Sequence, residues 1–302
     1  MTVVLWNANA GQKVRGPAPA LTEDKLRELL DRHGIQGQIV ATESEEHAKQ
    51  QIHAAIEAGH DTIIAAGGDG TIGMVATELL GRTDIALGML PLGSVMNVPR
   101  MVGVPRDLEA AAATIAAHKT RLIDVGEANG VPFYETASVG MNAAMFKEAQ
   151  HFEDGDYGSP LRVLRVAFRY RPARMTVELD DETFTTHALM VTISNGAYMG
   201  VAMTVAPDAR LDDGRFDVRV FRHFSKFELL RHLASIAFGR HRYSPHVATY
   251  RSARVRITST RSLPTRADSH DLGTTPLECK VRHGALCVIV GPDFADGRAP
   301  VE

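Results

Sequence analysis

The chain opens with short apolar runs separated by amphipathic stretches. Val3–Trp6, Gln38–Thr42, Thr62–Ala66 and Ile85–Leu90 carry the β-branched and large apolar residues of buried strands. Helical periodicity fills the intervals near residues 21–33, 44–58 and 71–80, and appears again at 106–118. It is clearest in the third, where Ile72, Val75, Ala76, Leu79 and Leu80 make one apolar stripe. Thr71 stands where its hydroxyl can cap this helix, and Gly81 where the helix ends. Alternation of strand and helix predicts a parallel sheet with helices on its faces.

From about Arg121 the rhythm changes. Asn129-Gly130 separates the strand-like segments Leu122–Ala128 and Phe133–Val139, a short hairpin signal. Asp180-Asp181 separates another pair, and Leu189–Ser194, Phe216–Phe221, Arg254–Thr258 and Leu286–Val290 add strands. Helical patterns interrupt near 160–170 and 225–238. The expected architecture is an α/β nucleotide-binding domain over residues 1–120, followed over 121–302 by a mainly antiparallel β-sandwich domain. A return of the C-terminal tail to the first domain is left open.

Composition narrows the function classes. At 302 residues, 44% hydrophobic and 23% charged, the chain is long enough for substantial cores and is not globally disordered. A net charge of −3 gives no support to a nucleic-acid partner. Cys279 and Cys287 lie in an apolar stretch without metal-ligand spacing or a disulfide framework, as expected of buried thiols in a reducing compartment. The first apolar run is too short for a secretory leader, and nowhere do 18 apolar residues run together. These features predict a cytoplasmic protein, with any membrane contact peripheral, on the inner face of the membrane.

The chemistry concentrates in Gly67-Gly68-Asp69-Gly70-Thr71, which follows the third strand and opens the third helix. Glycines let a backbone approach a phosphate, and free amides at a helix N-terminus point at its charge. Asp69 can bind Mg²⁺ directly or through water. The plainer alternative is a glycine-rich turn with no ligand. Against it, the turn sits at the carboxyl end of a strand, where open α/β sheets bind ligands.

Further segments give the loop a context. Asn7-Ala8-Asn9-Ala10-Gly11 follows the first strand, Thr42 ends the second, and Pro91-Leu92-Gly93-Ser94 follows the fourth. Pro207-Asp208-Ala209-Arg210-Leu211-Asp212-Asp213-Gly214 lies in the second half. Together these resemble the diacylglycerol kinase catalytic family of lipid kinases, whose glycine loop is shared with NAD kinases and, more distantly, phosphofructokinases. The resemblance implies a phosphofructokinase/NAD-kinase-like first domain, with ATP and Mg²⁺ bound in a cleft between the domains. It also implies γ-phosphoryl transfer to the hydroxyl of diacylglycerol or a related lipid alcohol. Matching nucleotide residues are Asn7, Asn9, Gly11, Thr42, Gly67, Gly68, Asp69, Gly70, Thr71, Gly93 and Ser94. Asp213 and the carbonyls of Arg210 and Arg215 match a structural Mg²⁺ site.

The chain departs from the family pattern in three places. Ile72-Gly73-Met74 replaces the usual x-Asn-Glu, and Gly93-Ser94-Val95-Met96-Asn97 displaces an asparagine by one position. Where relatives carry Asp-Gly-Glu, this chain has Asp268-Ser269-His270, so His270 falls where the resemblance puts the base. A neutral imidazole can accept a proton near pH 7, and Asp268 or Asp271 can orient it. The alternatives are a solvated surface histidine, a catalytically weak nucleotide- or lipid-binding member, and, less favoured, an NAD kinase. A hydrolase triad is a poor reading, because triad groups meet from separated segments. Leu161, Leu164 and Phe168 lie on one helical face and Arg162, Arg165 and Arg169 on another. That face suits an anionic membrane, although a core helix with solvated arginines is the favoured reading. Asp154-Gly155-Asp156 lacks the other ligands of a calcium loop, and homodimer formation stays open.

Overall fold

A computed structural model describes residues 1–8, 21–146, 165–166, 169–200, 203–222, 228 and 247–300. The helical patterns near 160–170 and 225–238, and the segment Asp154–Asp156, lie wholly or largely outside them. The chain forms two compact units. One comprises Met1–Val125, Arg210–Asp213 and His283–Glu302, and the other Gly126–Ala209 and Gly214–Arg282.

The first unit begins β1 (Thr2–Trp6), α1 (Glu23–Arg32), β2 (Gly37–Ala41), α2 (Glu45–Glu57), β3 (Thr62–Gly67) and α3 (Asp69–Glu78). It continues with β4 (Ala86–Pro91), α4 (Asn97–Met101), α5 (Leu108–Ala117) and the start of β5 (Thr120–Ala128). β1 lies between β2 and β3, and β3 pairs with β4, all parallel. Ile63, Ile64, Leu87, Met89 and Leu90 are buried, as expected of strands covered on both faces. Leu26, Leu29 and Leu30 of α1, Ile52 of α2, Ile72 and Val75 of α3 and Ile115 of α5 are buried as well. The expected helix near 71–80 starts earlier than its periodicity implied. Its N-cap is Gly68, which corrects the placing of Thr71 as the cap.

The second unit is mainly antiparallel. It contains β6 (Val131–Phe133), β7 (Thr136–Gly140), β8 (Ala173–Glu178), β9 (Thr183–Ala188), β10 (Met190–Ser194), β11 (Tyr198–Met199), β12 (Met203–Thr204) and β13 (Phe216–Phe221). β14 (Val247–Ser252), β15 (Arg254–Ser259), β16 (Pro264–Ala267), β17 (His270–Thr274) and the start of β18 (Leu277–Ile289) complete it. One sheet runs β18-β15-β8-β9, with β5 pairing β18 and β6; the other runs β14-β13-β10-β7-β16-β17. Val177, Val191, Ile193, Val218, Val220, Ile257 and Leu277 fill the core between them.

The expected single strand Phe133–Val139 is broken in two. β6 pairs with β5, whereas β7 pairs with β10 and β16 in the other sheet. The chain therefore turns a sandwich corner at Tyr134 and Glu135. Phe133 reaches the core just before that corner, stacked on Phe216 with ring centroids 5.5 Å apart. Both rings are fully buried. Phe133→Ala is expected to cost about 3–5 kcal/mol, read as a lower urea midpoint with an unchanged m value. A midpoint equal to the parent's would remove this pair from the packing core.

Candidate functional site

Three helices of the first unit begin with a side-chain cap: Thr22 accepts from Lys25 N, Ser44 from His47 N and Asp107 from Ala110 N. α3 differs. Its N-cap is Gly68, and no side chain caps its first turn. The orphan amides of that turn, and the positive end of the helix dipole, are left facing outward from the end of β3. Gly70 sharpens the contrast. A methyl group there would meet no heavy atom within 4 Å, so the fold itself does not require glycine at that position. Glycine inside a helix costs about 0.5–1 kcal/mol relative to alanine, and a close-lying ligand is a reason to keep it.

The strand order puts this turn at a special place. The chain leaves β1 toward β2 on one side, and β3 lies on the other. Ligands of open α/β sheets bind outside the carboxyl ends of the strands where the connections diverge in this way. Asn7, just past β1, spans that crevice: its Nδ2 donates to Thr71 Oγ1 at 3.2 Å. Thr42, just past β2, donates from Oγ1 to the Trp6 carbonyl at 3.2 Å. Asn9 and Gly11 lie outside the described residues.

The turn after β4 closes against the turn after β3. Asp69 Oδ2 accepts from Met96 N at 2.8 Å, and Oδ1 accepts from Asn97 N at 3.1 Å. Met96 has φ 57°, and this left-handed residue delivers both amides to one carboxylate as α4 begins. Gly93 packs on Gly68; a methyl at Gly93 would come within 2.7 Å of Met96 Sδ and 2.9 Å of Gly68 Cα. Arg106 Nη2 donates to the carbonyl of Ser94 at 2.6 Å and of Gly93 at 3.4 Å. The displaced asparagine, Asn97, is buried and contributes its backbone amide. The sequence carried no signal for Met96 or Arg106, because amide donors have no side-chain identity and one arginine outside a motif says nothing.

Asp213 and Arg210 belong to the first unit and Arg215 to the second. Arg210 donates from Nε to Asp212 Oδ1 at 3.2 Å, so the neighbouring carboxylate is paired with a cation. The Asp212 side chain holds the Arg210 guanidinium above its ordinary range, by hydrogen bond and by charge. The backbone here is fixed from both sides: Leu211 N donates to the Gly297 carbonyl, and the Leu211 carbonyl accepts from Asp124 N. Among the described residues no group of three or more His, Cys, Asp or Glu side chains is arranged to hold a metal.

In the second unit the Asp268–Ser269 pair forms the turn between β16 and β17. Asp268 has φ 44° and its carboxylate accepts three backbone amides. They are Tyr134 N at 2.7 Å to Oδ2, and Glu135 N and Thr136 N at 3.0 Å to Oδ1. Burial pushes this carboxyl up, against the pull of the amides and of His270. Both oxygens thus serve the sandwich corner, and the charge of His270 also acts on this carboxyl. Asp271 Oδ1 accepts from Gly273 N at 2.8 Å. His270 starts β17, opposite Ala267, and is exposed. The segment is therefore a strand start after a tight turn, and not simply a polar surface loop.

A glycine turn opening an uncapped helix in one unit, and an antiparallel β-sandwich in the other, define the class: an open α/β domain followed by a β domain. Comparison with known proteins gives the family. Residues 1–128 match the diacylglycerol kinase catalytic domain, and residues 135–290 match the YegS C-terminal NAD kinase beta sandwich-like domain. A protein named "Diacylglycerol kinase" from Bacillus subtilis (strain 168) is 26% identical over 283 residues, covering 91% of each chain. The Pseudomonas aeruginosa PAO1 protein named "Probable lipid kinase YegS-like" is 31% identical over 223 residues, 72% of this chain and 70% of its own. A crystal structure described as a diacylglycerol kinase from Bacillus anthracis str. Sterne has the same fold. Its TM-score is 0.75 at 19% identity, covering 97% of this chain and 98% of that one. The chain belongs to the diacylglycerol kinase-like lipid kinase family. Among the described residues no helix is long and apolar enough to cross a membrane.

Two predictions follow from the geometry. Gly70→Ala is expected to leave the thermal midpoint unchanged or higher while weakening binding of an adenine nucleotide, measured by calorimetric titration; unaltered affinity would take Gly70 out of the site. Asp268→Ala strands the amides of residues 134–136, and a buried donor without a partner costs about 1–3 kcal/mol. A loss on that order in chemical denaturation is expected, and a loss near zero would mean the corner holds without its carboxylate.

Proposed function

We propose that this enzyme transfers the γ-phosphoryl group of ATP, with Mg²⁺, to the hydroxyl of diacylglycerol or a related lipid alcohol. The observation that carries the ATP reading is the uncapped first turn of α3 at the divergence of β1 and β3, with Gly70 open above it. Phosphoryl transfer is governed mainly by positioning and charge neutralisation, which rigid loop amides supply. The amides of Gly68 to Thr71 hold phosphate oxygens, and Asn7, Thr42, Gly93 and Ser94 line the same strand ends. Asn9 and Gly11 extend that set from outside the described residues.

The metal fits the residues in a limited way. Asp213 with the carbonyls of Arg210 and Arg215 offers the all-oxygen donor set that Mg²⁺ prefers, leaving room for water. Asp69 accepts one amide on each oxygen and retains lone pairs, so it can reach a metal through water. When bound, Mg²⁺ supplies charge neutralisation at the phosphates. The lipid hydroxyl attacks the γ-phosphorus as ADP leaves, and His270 accepts the hydroxyl proton. Exposure leaves the imidazole free to reach an acceptor, and the Asp268 staple fixes the turn that carries it. A binding protein with little turnover is the second reading, favoured by the exchange of the family glutamate for His270.

One assay separates them: γ-labelled ATP, Mg²⁺ and mixed lipid vesicles, with the products resolved by chromatography. A labelled lipid is expected, and labelling should disappear in Asp69→Ala. ATP binding with no labelled lipid would leave only the second reading, and labelling of NAD would make the protein an NAD kinase. His270→Ala is expected to slow transfer by roughly 10²–10⁴-fold, and an unaltered rate would take the base role from it.

A further inference from the structure

The residues that match nucleotide contacts carry no positive charge. They are glycines, hydroxyls and amides, and the charged side chain among them, Asp69, is an anion. Helix-end amides supply partial charges, whereas a nucleoside triphosphate brings several full negative ones. Charge neutralisation is central to phosphoryl transfer. A cation of the chain's own is therefore wanted beside the paired turns after β3 and β4, in addition to Mg²⁺.

Arg106 meets that need. It lies just before α5, whose N-cap Asp107 accepts from Ala110 N at 3.0 Å. Behind it the chain leaves α4 through a tight turn, in which Gly103 N donates to the Arg100 carbonyl and Val104 N to the Pro99 carbonyl. The base of the side chain is thus held on both sides. From there the guanidinium reaches back to the turn after β4, where Nη2 donates to the carbonyls of both Gly93 and Ser94. That turn touches the uncapped end of α3, since a methyl on Gly93 would lie 3.6 Å from Asp69 N.

Three features separate this contact from an ordinary loop tie. Its acceptors are neutral carbonyls, and among the described residues Arg106 forms no ion pair, so its full charge stays beside the turns. The acids nearest in sequence are engaged elsewhere, Asp107 as the α5 cap and Glu109 with Arg32 and His33. Secondly, the contact uses Nη2 alone. Among the described residues Nε and Nη1 meet no acceptor, and their N–H donors are left over. Thirdly, Ser94 and Arg106 are exposed, so water could satisfy that carbonyl, and ordering a long side chain there costs rotamer entropy. The fold keeps a fixed, half-used guanidinium where its own polar groups do not demand one.

We infer that Arg106 is a phosphate-contacting residue of the nucleotide site: Nε and Nη1 take phosphate oxygens while Nη2 holds the Gly93–Ser94 turn in place. Arginine suits both tasks, because its planar fork of donors matches phosphate oxygens and its charge does not titrate. This rests on the nucleotide site of the proposed function and adds to it a residue that the family resemblance does not mark.

The test is calorimetric titration of the full chain by ATP, ADP and adenosine, with excess Mg²⁺, in the parent, Arg106→Gln and Arg106→Lys. Glutamine can still bond the turn carbonyls but has no charge; lysine keeps the charge without the fork. Arg106→Gln is expected to weaken ATP by about tenfold or more, the scale of one charge-assisted hydrogen bond, and adenosine by less than about twofold. Arg106→Lys should recover part of the ATP affinity. Raising the salt concentration should weaken ATP binding less steeply in Arg106→Gln than in the parent. Equal losses for ATP and adenosine would reduce Arg106 to a tie that shapes the turn, and so overturn the inference, as would an unaltered ATP affinity in Arg106→Gln. ATP affinity in Arg106→Lys no better than in Arg106→Gln removes the charge from the argument and overturns it too. A parent chain that binds none of the three ligands sinks the nucleotide reading itself, an outcome distinct from a parent that binds ATP and a glutamine variant that binds it equally.

Discussion

The glycine turn of the first unit depends on one carboxylate. Asp69 sits inside the glycine turn after β3, yet both of its oxygens are bonded to amides of the turn after β4. Charge-assisted bonds of this kind are shorter and stronger than neutral ones, and two from a single carboxylate fix orientation as well as distance. The pairing brings Gly68 and Gly93 so close that neither turn can shift without the other. Two loops that would move independently become one rigid rim at the ends of parallel strands. Preorganised amides of this sort stabilise phosphoryl charge without reorganising during the reaction.

The second unit uses the same device for a different end. Asp268 gathers three consecutive amides at the corner where the chain leaves one sheet for the other. That bond set explains why β6 and β7 are separate strands although their sequence reads as one. It also divides the labour within the Asp-x-x segment. The aspartate holds the turn, and the residue two positions on is free to change chemistry without disturbing it. On the proposed function, a histidine where the family resemblance implies a glutamate alters the proton acceptor while the scaffold beneath it stays put.

Much of this was legible in the residues. Apolar periodicity located α1, α2 and α5 and the four parallel strands to within a few residues, because burial on both sheet faces leaves a strong pattern. Asn129-Gly130 announced its hairpin through the positive φ that both residues adopt, 47° and 84°. The glycine loop was readable because its chemistry is carried by residue type. What was hidden depends on partners far apart in sequence. The Asp69–Met96 and Asp268–Tyr134 bonds join an identifiable carboxylate to anonymous amides, so only one half of each is written in the side chains. α4 was missed for a related reason: at five residues it has no periodicity, and it starts from a left-handed methionine.

The places where the chain forgoes stability are as informative as the staples. α3 lacks the side-chain cap that α1, α2 and α5 have, Gly70 is glycine where alanine would fit, and Thr192 buries a hydroxyl without a partner. Local choices in a natural sequence normally agree with its fold, and the exceptions concentrate where a ligand is met. Two of these exceptions surround the glycine turn, and the third lies in β10 of the second unit. Each unit thus has its own site of local compromise and its own carboxylate staple nearby. On the proposed function, nucleotide binding and acceptor chemistry are separable properties of the fold, and the exchange to His270 changes only the second.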